Sequence, residues 1–81
     1  MNRRYYTAET DANGHVNNAD LWKLTGADNL TTAKMIATRR QVFQGSAMHI
    51  GEKRGDEIVT VAVKRGDAIN MNAGGSWVDT E

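Results

Sequence analysis

The fold of this chain is decided between residues 29 and 52, which read NLTTAKMIATRRQVFQGSAMHIGE. Asn29 or Thr31 can cap a helix, because a side-chain oxygen at that position accepts a backbone N–H bond. Asp28 precedes them, where the positive end of a helix favours an acidic residue. Four apolar residues and one basic residue then recur at helical spacing: Leu30, Ala33, Ile36, Ala37 and Arg40. The pattern predicts a helix that begins near residue 30 and ends before Gly45.

The opposite face of the predicted helix is polar and basic. It consists of Thr31, Lys34, Met35, Thr38 and Arg39. The helix carries three basic residues and no acidic one, in a chain whose net charge is zero. Arg40 lies on the apolar side, but near a helix end its stem can cover the core while its charged head reaches water. Because folding does not need the basic face, we expect it to contact an anionic partner; the alternative is an ordinary solvated surface.

Downstream of the helix the pattern changes to an alternation of every second residue, which is typical of strands. Residues 46–52 and 57–64 predict two strands, and the second is apolar on both faces, which indicates a central strand. The tetrad Lys53-Arg54-Gly55-Asp56 between them predicts a polar hairpin turn. Residues 65–67 predict a turn, and residues 68–73 fit either a short strand or a loop. Residues 76–79 predict a short terminal strand.

The part of the chain before the helix is less regular. Residues 3–10 predict a strand, and residues 11–14 contain an Asn-Gly pair, a strong turn signal. Residues 20–25 fit either a strand or a single helical turn. We favour the strand, because Gly26 follows too soon for a stable helix.

The order of these elements predicts an α+β fold with a single antiparallel sheet of about five strands and one helix packed on one face (ββαβββ). A chain of 81 residues forms one small domain, so the domain is expected to span residues 1–81. Its core is expected to contain one face of the central strand together with Leu30, Ala33, Ile36, Ala37, Phe43, Met48, Ile50 and Trp77.

Composition places the protein in a broad class. The chain has no cysteine, and its first residues are not followed by the apolar run of a signal peptide. No apolar stretch approaches the ~18 residues that a membrane span needs. We therefore expect a cytoplasmic protein without a membrane partner.

A search for catalytic patterns gives little support for an enzyme. His15 and His49 are isolated in the sequence, and no phosphate-binding loop is present. No cluster of His, Cys or carboxylate residues has the spacing of a metal site. We expect a non-enzymatic protein that needs no metal and no cofactor and acts through its surfaces. Besides the helix face, these surfaces are the tip at Lys53 and Arg54, and Arg3-Arg4 beside Tyr5 and Tyr6.

The segment from the helix into the next strand, with the Trp-Val-Asp end, resembles a family of very small phage and mobile-element anti-CRISPR proteins. The family is that of the ninth-numbered inhibitor of the type I-F system, in which a helix of the form L-x-x-A-K-x-I-A-x-x-x-Q runs into F-x-G and a strand. The matching residues are Leu30, Ala33, Lys34, Ile36, Ala37, Gln41, Phe43, Gly45, Trp77, Val78 and Asp79. Lys34 and Gln41 are the informative matches, because a core has no use for them. Met35 departs from the pattern, since the family has a basic residue there.

The resemblance implies a five-stranded antiparallel sheet with one helix, and a function without chemistry. The inhibitor would bind the Cas7-type backbone subunits of a type I crRNA-guided surveillance complex and block hybridisation of target DNA. In that family the bound inhibitor is also associated with non-specific binding of double-stranded DNA by the complex. The residues expected to bind the partner are Lys34, Met35, Thr38, Arg39, Gln41, Lys53 and Arg54.

Two alternatives stay open at this point. Basic residues beside aromatic ones suit a small phage protein that binds nucleic acid directly through its basic patch. The protein could also inhibit another host defence enzyme by adding a strand to the edge of its sheet. We expect a monomer or a weak dimer, since the terminal strand at residues 76–79 offers a pairing edge.

Overall fold

The computed structural model describes residues 4–11, 14–43, 45–65 and 77–80. The elements are β1 (Tyr5–Thr10), a 3-10 turn (Ala19–Leu21), β2 (Lys23–Leu24), α1 (Leu30–Arg40), β3 (Ala47–Arg54), β4 (Glu57–Lys64) and β5 (Trp77–Asp79). Predictions made for Arg3, Asn13, Ser76 and residues 66–74 lie outside the described residues.

The five strands form one sheet in the order β2-β1-β3-β4-β5, and every neighbouring pair is antiparallel. Helix α1 packs on β1 and β3. The predicted α+β fold, with one antiparallel five-stranded sheet and one helix, is therefore confirmed. The strand at residues 57–64 is interior as predicted, but β3 rather than β4 lies in the middle of the sheet.

Helix α1 begins where its capping residue predicts and ends five residues before Gly45. The Asn29 side-chain oxygen accepts a hydrogen bond from the Thr32 amide at 2.8 Å, so Asn29 rather than Thr31 is the cap. The helix ends at Arg40, and Gln41 is already extended. The Arg40 guanidinium donates to the Leu24 carbonyl at 3.0 Å, which ties the end of the helix to the edge strand β2.

The core lies between α1 and the sheet. The two small residues Ala33 and Ala37 are fully buried, which allows the helix backbone to approach the strands closely. The buried cluster consists of Tyr5, Ala27, Ala33, Ala37, Met48, Ile50, Val61 and Ala62, with Leu30, Ile36 and Trp77 packed against it. Phe43 was predicted to belong to this core, and that prediction is wrong because its side chain is 69% exposed. Tyr5 was predicted as part of an aromatic surface but is buried in the core.

Residues 20–25 combine both structures that their sequence allowed. Asn18 accepts a hydrogen bond from the Asp20 amide and starts the 3-10 turn, after which only Lys23 and Leu24 pair with β1. The predicted strand is thus correct for Lys23 and Leu24 and wrong for residues 20–22 and 25. The turn places Trp22 against the sheet at Gly51, where an added Cβ would lie 2.9 Å from the indole ring and would also meet Ile58. The packing of Trp22 and Ile58 therefore requires glycine at position 51.

The hairpin between β3 and β4 is tighter than predicted. Lys53 and Arg54 belong to β3 and pair with Ile58 and Glu57, so the turn consists of Gly55 and Asp56 alone. Gly55 has a φ of 63°, a conformation that glycine adopts without the steric penalty of a side chain.

Candidate functional site

An open groove runs between the outer face of α1 and the strands β4 and β5. It has a volume of about 570 Å³ and is lined by Thr31, Lys34, Met35, Thr38, Arg39, Lys64 and Trp77. Five of these residues come from the helix, where spacings of three and four place them on one face. The other two are cross-strand partners, since Lys64 of β4 stands opposite Trp77 of β5. Helical periodicity therefore places the five residues of one wall, and the pairing of β4 with β5 places the two residues of the other.

The groove is electropositive. Three cationic side chains line it, Lys34, Arg39 and Lys64, and none of its seven lining residues in the described part of the chain is acidic. Cations that share one concave surface raise the local concentration of anionic groups more than the same charges spread apart. The arrangement favours phosphate or carboxylate groups of a partner.

One carboxylate lies at the edge of this basic cluster. The Lys34 ammonium forms an ion pair of 3.0 Å with the Asp79 carboxylate, whose side chain is 60% exposed. Exposed pairs of this kind contribute about 0–1 kcal/mol, because water competes for both charges. Asp79 can therefore be replaced by an anion of a partner at little energetic cost.

The groove also has an apolar component. Trp77 is half-buried and packs against the core while lining the groove, and Met35 is exposed beside it. The Thr38 hydroxyl donates to the Lys34 carbonyl at 2.9 Å, so its proton is used within the helix. The groove thus offers an indole and a thioether between cationic groups, which suits a ligand with both anionic and flat or apolar parts.

The structure gathers some of the predicted partner-binding residues and separates others. Lys34, Met35, Thr38 and Arg39 line the groove together. Lys53 and Arg54 are exposed at the β3–β4 hairpin and do not line it, and Arg54 pairs with Glu52 at 2.8 Å.

Gln41 is also outside the groove. Its side-chain amide donates to the Ser46 hydroxyl at 3.0 Å and to the carbonyls of Ser46 and Phe43 at 3.2 Å. Gln41 therefore has a structural role that its sequence context did not indicate, because its amide holds the loop that follows the helix.

Lys64 is the lining residue that the sequence did not indicate, and Trp77 was assigned to the core alone. Lys64 ends a strand that reads as a plain alternation, and nothing local relates it to the helix. Its place in the groove depends on the pairing of β4 with β5, which residue pattern does not specify.

His49 lies on the opposite face of the sheet and is only 1% exposed. Its Nε2 is 2.8 Å from the Thr10 hydroxyl. Burial is the main cause, and the charges of Arg65 and His15 act in the same direction; together they lower the pKa of His49 from 6.5 to about 4. The ring is neutral at pH 7 and serves as a buried hydrogen-bonding group.

Metal-binding geometry does not occur among the described residues, which contain no group of three or more His, Cys, Asp or Glu able to hold an ion. Within the same ranges, no helix is both long and apolar enough to cross a membrane. Comparison with known protein families, with curated proteins and with solved structures yields no match.

Proposed function

We propose that this protein is a non-enzymatic anti-CRISPR inhibitor that binds a type I surveillance complex at its Cas7-type backbone. Bound there, it blocks hybridisation of target DNA with the guide. The proposal rests on the resemblance of residues 30–45 and 77–79 to that family. The structural observation that carries it is the convergence of Lys34, Arg39 and Lys64 on one groove.

The groove suggests how such an inhibitor would engage its target. Carboxylates of a Cas7-type subunit would replace Asp79 beside Lys34 and would pair with Arg39 and Lys64. A guide-bound complex admits DNA through a channel governed by charge and backbone geometry, so a small domain seated there obstructs the duplex. Cations left facing outward would attract DNA phosphates without regard to sequence, which would produce non-specific double-stranded DNA binding by the inhibited complex.

A second function is favoured by one observation, the position of Trp77. An indole that lines the same groove as Lys64 and Arg39 is the combination by which proteins hold single-stranded nucleic acid through stacking and phosphate charge. In this reading the protein binds nucleic acid directly and needs no Cas protein. A gel shift with the purified protein alone separates the two functions.

The decisive experiment is co-elution on a sizing column with assembled type I-F and type I-E surveillance complexes. The wild-type protein is expected to co-elute with one of them and to prevent binding of target DNA. Arg39→Glu is expected to weaken binding at least about tenfold, because it reverses a charge in the groove. Lys23→Glu makes the same change on the exposed edge strand β2 and serves as the matched control.

Two results would contradict the proposal. The first is the absence of co-elution with either complex together with tight binding of free DNA or RNA. The second is full inhibition by a folded Lys34→Glu/Arg39→Glu variant, which would exclude the groove as the contact surface.

A further inference from the structure

The loop that follows α1 is held by a carboxylate from a distant strand. Both Glu9 oxygens lie within hydrogen-bonding distance of the Val42 amide, at 3.1 and 3.2 Å, and the Phe43 amide donates to Glu9 at 2.9 Å. The Ser46 hydroxyl donates to the same carboxylate at 2.5 Å. Hydrogen bonds to a charged acceptor are among the stronger ones in proteins, so Glu9 fixes the loop backbone to the end of β1.

A second set of bonds closes the loop from its other side. The Gln41 amide reaches across to Ser46, and the Ser46 hydroxyl lies 2.8 Å from the Phe43 carbonyl. The chain at residues 41–43 is therefore tied both to β1 and to the start of β3. This segment has a defined backbone conformation before any partner arrives.

The side chains carried by this fixed backbone point into water. Val42 is 74% exposed and Phe43 69% exposed, the highest values among the exposed large hydrophobic residues in the described ranges. Phe43 is the single phenylalanine of the chain, in a domain with few large core residues. A small protein gains more by burying such a side chain than by exposing it, so its exposure on a rigid backbone indicates a contact.

We propose that Val42 and Phe43, here called the Val42/Phe43 tip, insert as an apolar anchor into a hydrophobic pocket of the protein partner. This inference rests on the proposed function, and the partner is the Cas7-type subunit that also meets the groove. Arg39 and Arg40 are exposed and are separated from the tip by Gln41; one N–H of the Arg40 guanidinium donates to the Leu24 carbonyl, which leaves its others available. The pocket is therefore expected to have carboxylates at its rim, which the two guanidinium groups would meet.

The size and chemistry of the tip favour a pocket of a protein partner over a second copy of this chain and over nucleic acid. Two side chains supply roughly 250 Å² of contact, whereas a stable interface needs about 800 Å² from each partner, so the tip alone cannot hold two copies together. Nucleic acid would use the Phe43 ring for stacking but has no use for an aliphatic Val42. Aromatic residues such as Phe43 are instead enriched at protein interfaces, and a fixed backbone lowers the entropy lost on binding.

The test measures the affinity of four variants for whichever surveillance complex, type I-F or type I-E, the wild-type protein binds, with the oligomeric state of the free protein determined by sedimentation. Phe43→Ser is expected to weaken binding at least about 30-fold and Val42→Ser at least about fivefold. Val78→Ser is the matched control, because Val78 is 61% exposed on β5 and outside the tip. The loss caused by Phe43→Ser is expected to be the same at low and high salt, whereas the loss caused by Arg39→Glu shrinks as salt rises.

Three other outcomes would each contradict either the role of the tip or the proposed function. If the wild-type protein binds and Phe43→Ser binds equally well, the tip is not an anchor and the proposed function stands. If the wild-type protein is a dimer that Phe43→Ser dissociates, the tip contacts a second copy instead. If the wild-type protein binds no surveillance complex, the proposed function fails, and this assignment of the tip fails with it.

Discussion

The Lys34 ammonium lies 3.0 Å from the Asp79 carboxylate, so the helix and the terminal strand meet through one ion pair at the edge of the basic groove. The two residues are 45 positions apart in the chain. The Lys34 side chain is 24% exposed and the Asp79 side chain 60% exposed, so water screens the pair. In the proposed function, an anionic group of the partner takes the place of this carboxylate.

Replacing Asp79 with asparagine should therefore change function more than stability. We expect Asp79→Asn to lower the free energy of unfolding by less than about 1 kcal/mol, because the pair is partly exposed. The same change frees Lys34 and should tighten binding of an anionic partner by up to about fivefold. Urea denaturation and affinity for the surveillance complex test the two effects, with the exposed Glu57→Gln as the charge control. Weaker binding by Asp79→Asn would indicate that Asp79 itself contacts the partner.

Gly51 should not tolerate a side chain. A Cβ at this position would meet Ile58 and the Trp22 ring, so Gly51→Ala is expected to cost about 1–3 kcal/mol of stability through overpacking. Thermal denaturation measures the loss. Ile58→Ala removes one of the clashing groups, and the double variant should be more stable than the two separate losses predict. Additive losses would mean that the sheet relaxes without a clash between these residues.

The Glu9 carboxylate should control the order of the loop more than global stability. Its bonds to the Val42 and Phe43 amides are exposed, so Glu9→Ala is expected to cost only about 1 kcal/mol. Amide hydrogen exchange at Val42 and Phe43 should become markedly faster, because both amides lose their acceptor. Glu57→Ala removes an exposed carboxylate elsewhere and should leave these two amides unchanged. Unchanged protection in Glu9→Ala would mean that Gln41 and Ser46 alone fix the loop.

Stability should fall in mild acid because of His49. Its pKa is lowered from 6.5 to about 4 in the folded protein, so the unfolded chain takes up a proton first as pH falls. The contribution of neutral His49 is complete above pH 6.5, is lost between 6.5 and about 4, and changes no further below that. The loss amounts to at most about 3 kcal/mol.

Urea denaturation at a series of pH values measures this effect. Carboxylates also titrate in acid, so the comparison is with His49→Gln, which keeps a hydrogen-bonding side chain but cannot take up the proton. The variant should lose less stability than the wild-type protein between pH 6.5 and pH 4. Exposed His15 supplies the control, since His15→Gln should leave most of the pH dependence in place. Parallel curves for wild type and His49→Gln would contradict the assignment.

The helix side of the candidate site was predictable from the sequence, whereas the strand side was not. Thr31, Lys34, Met35, Thr38 and Arg39 were placed on one face because helical spacing is a local property. Lys64 was not associated with them, since its position depends on how β4 pairs with β5.

Phe43 was predicted to be buried in the core but is exposed. An apolar residue before a strand predicts burial, and only the structure shows the carboxylate, 34 residues earlier in the chain, that binds its amide and holds its loop at the surface. The structural role of Gln41 was not predictable for the same reason, because its amide acts on a loop whose conformation the sequence did not indicate.

The sequence by itself determined the elements: the helix and its faces, the alternating strands and the order that makes one antiparallel sheet. These follow from dihedral preferences and from periods of 3.6 and 2, which act between near neighbours. Only the tertiary structure decided which cations share a groove, that Asp79 faces Lys34, and that Glu9 holds Val42 and Phe43 outward. Those relationships depend on strand register and helix placement, and a shift of one residue in register would move each side chain to the other face.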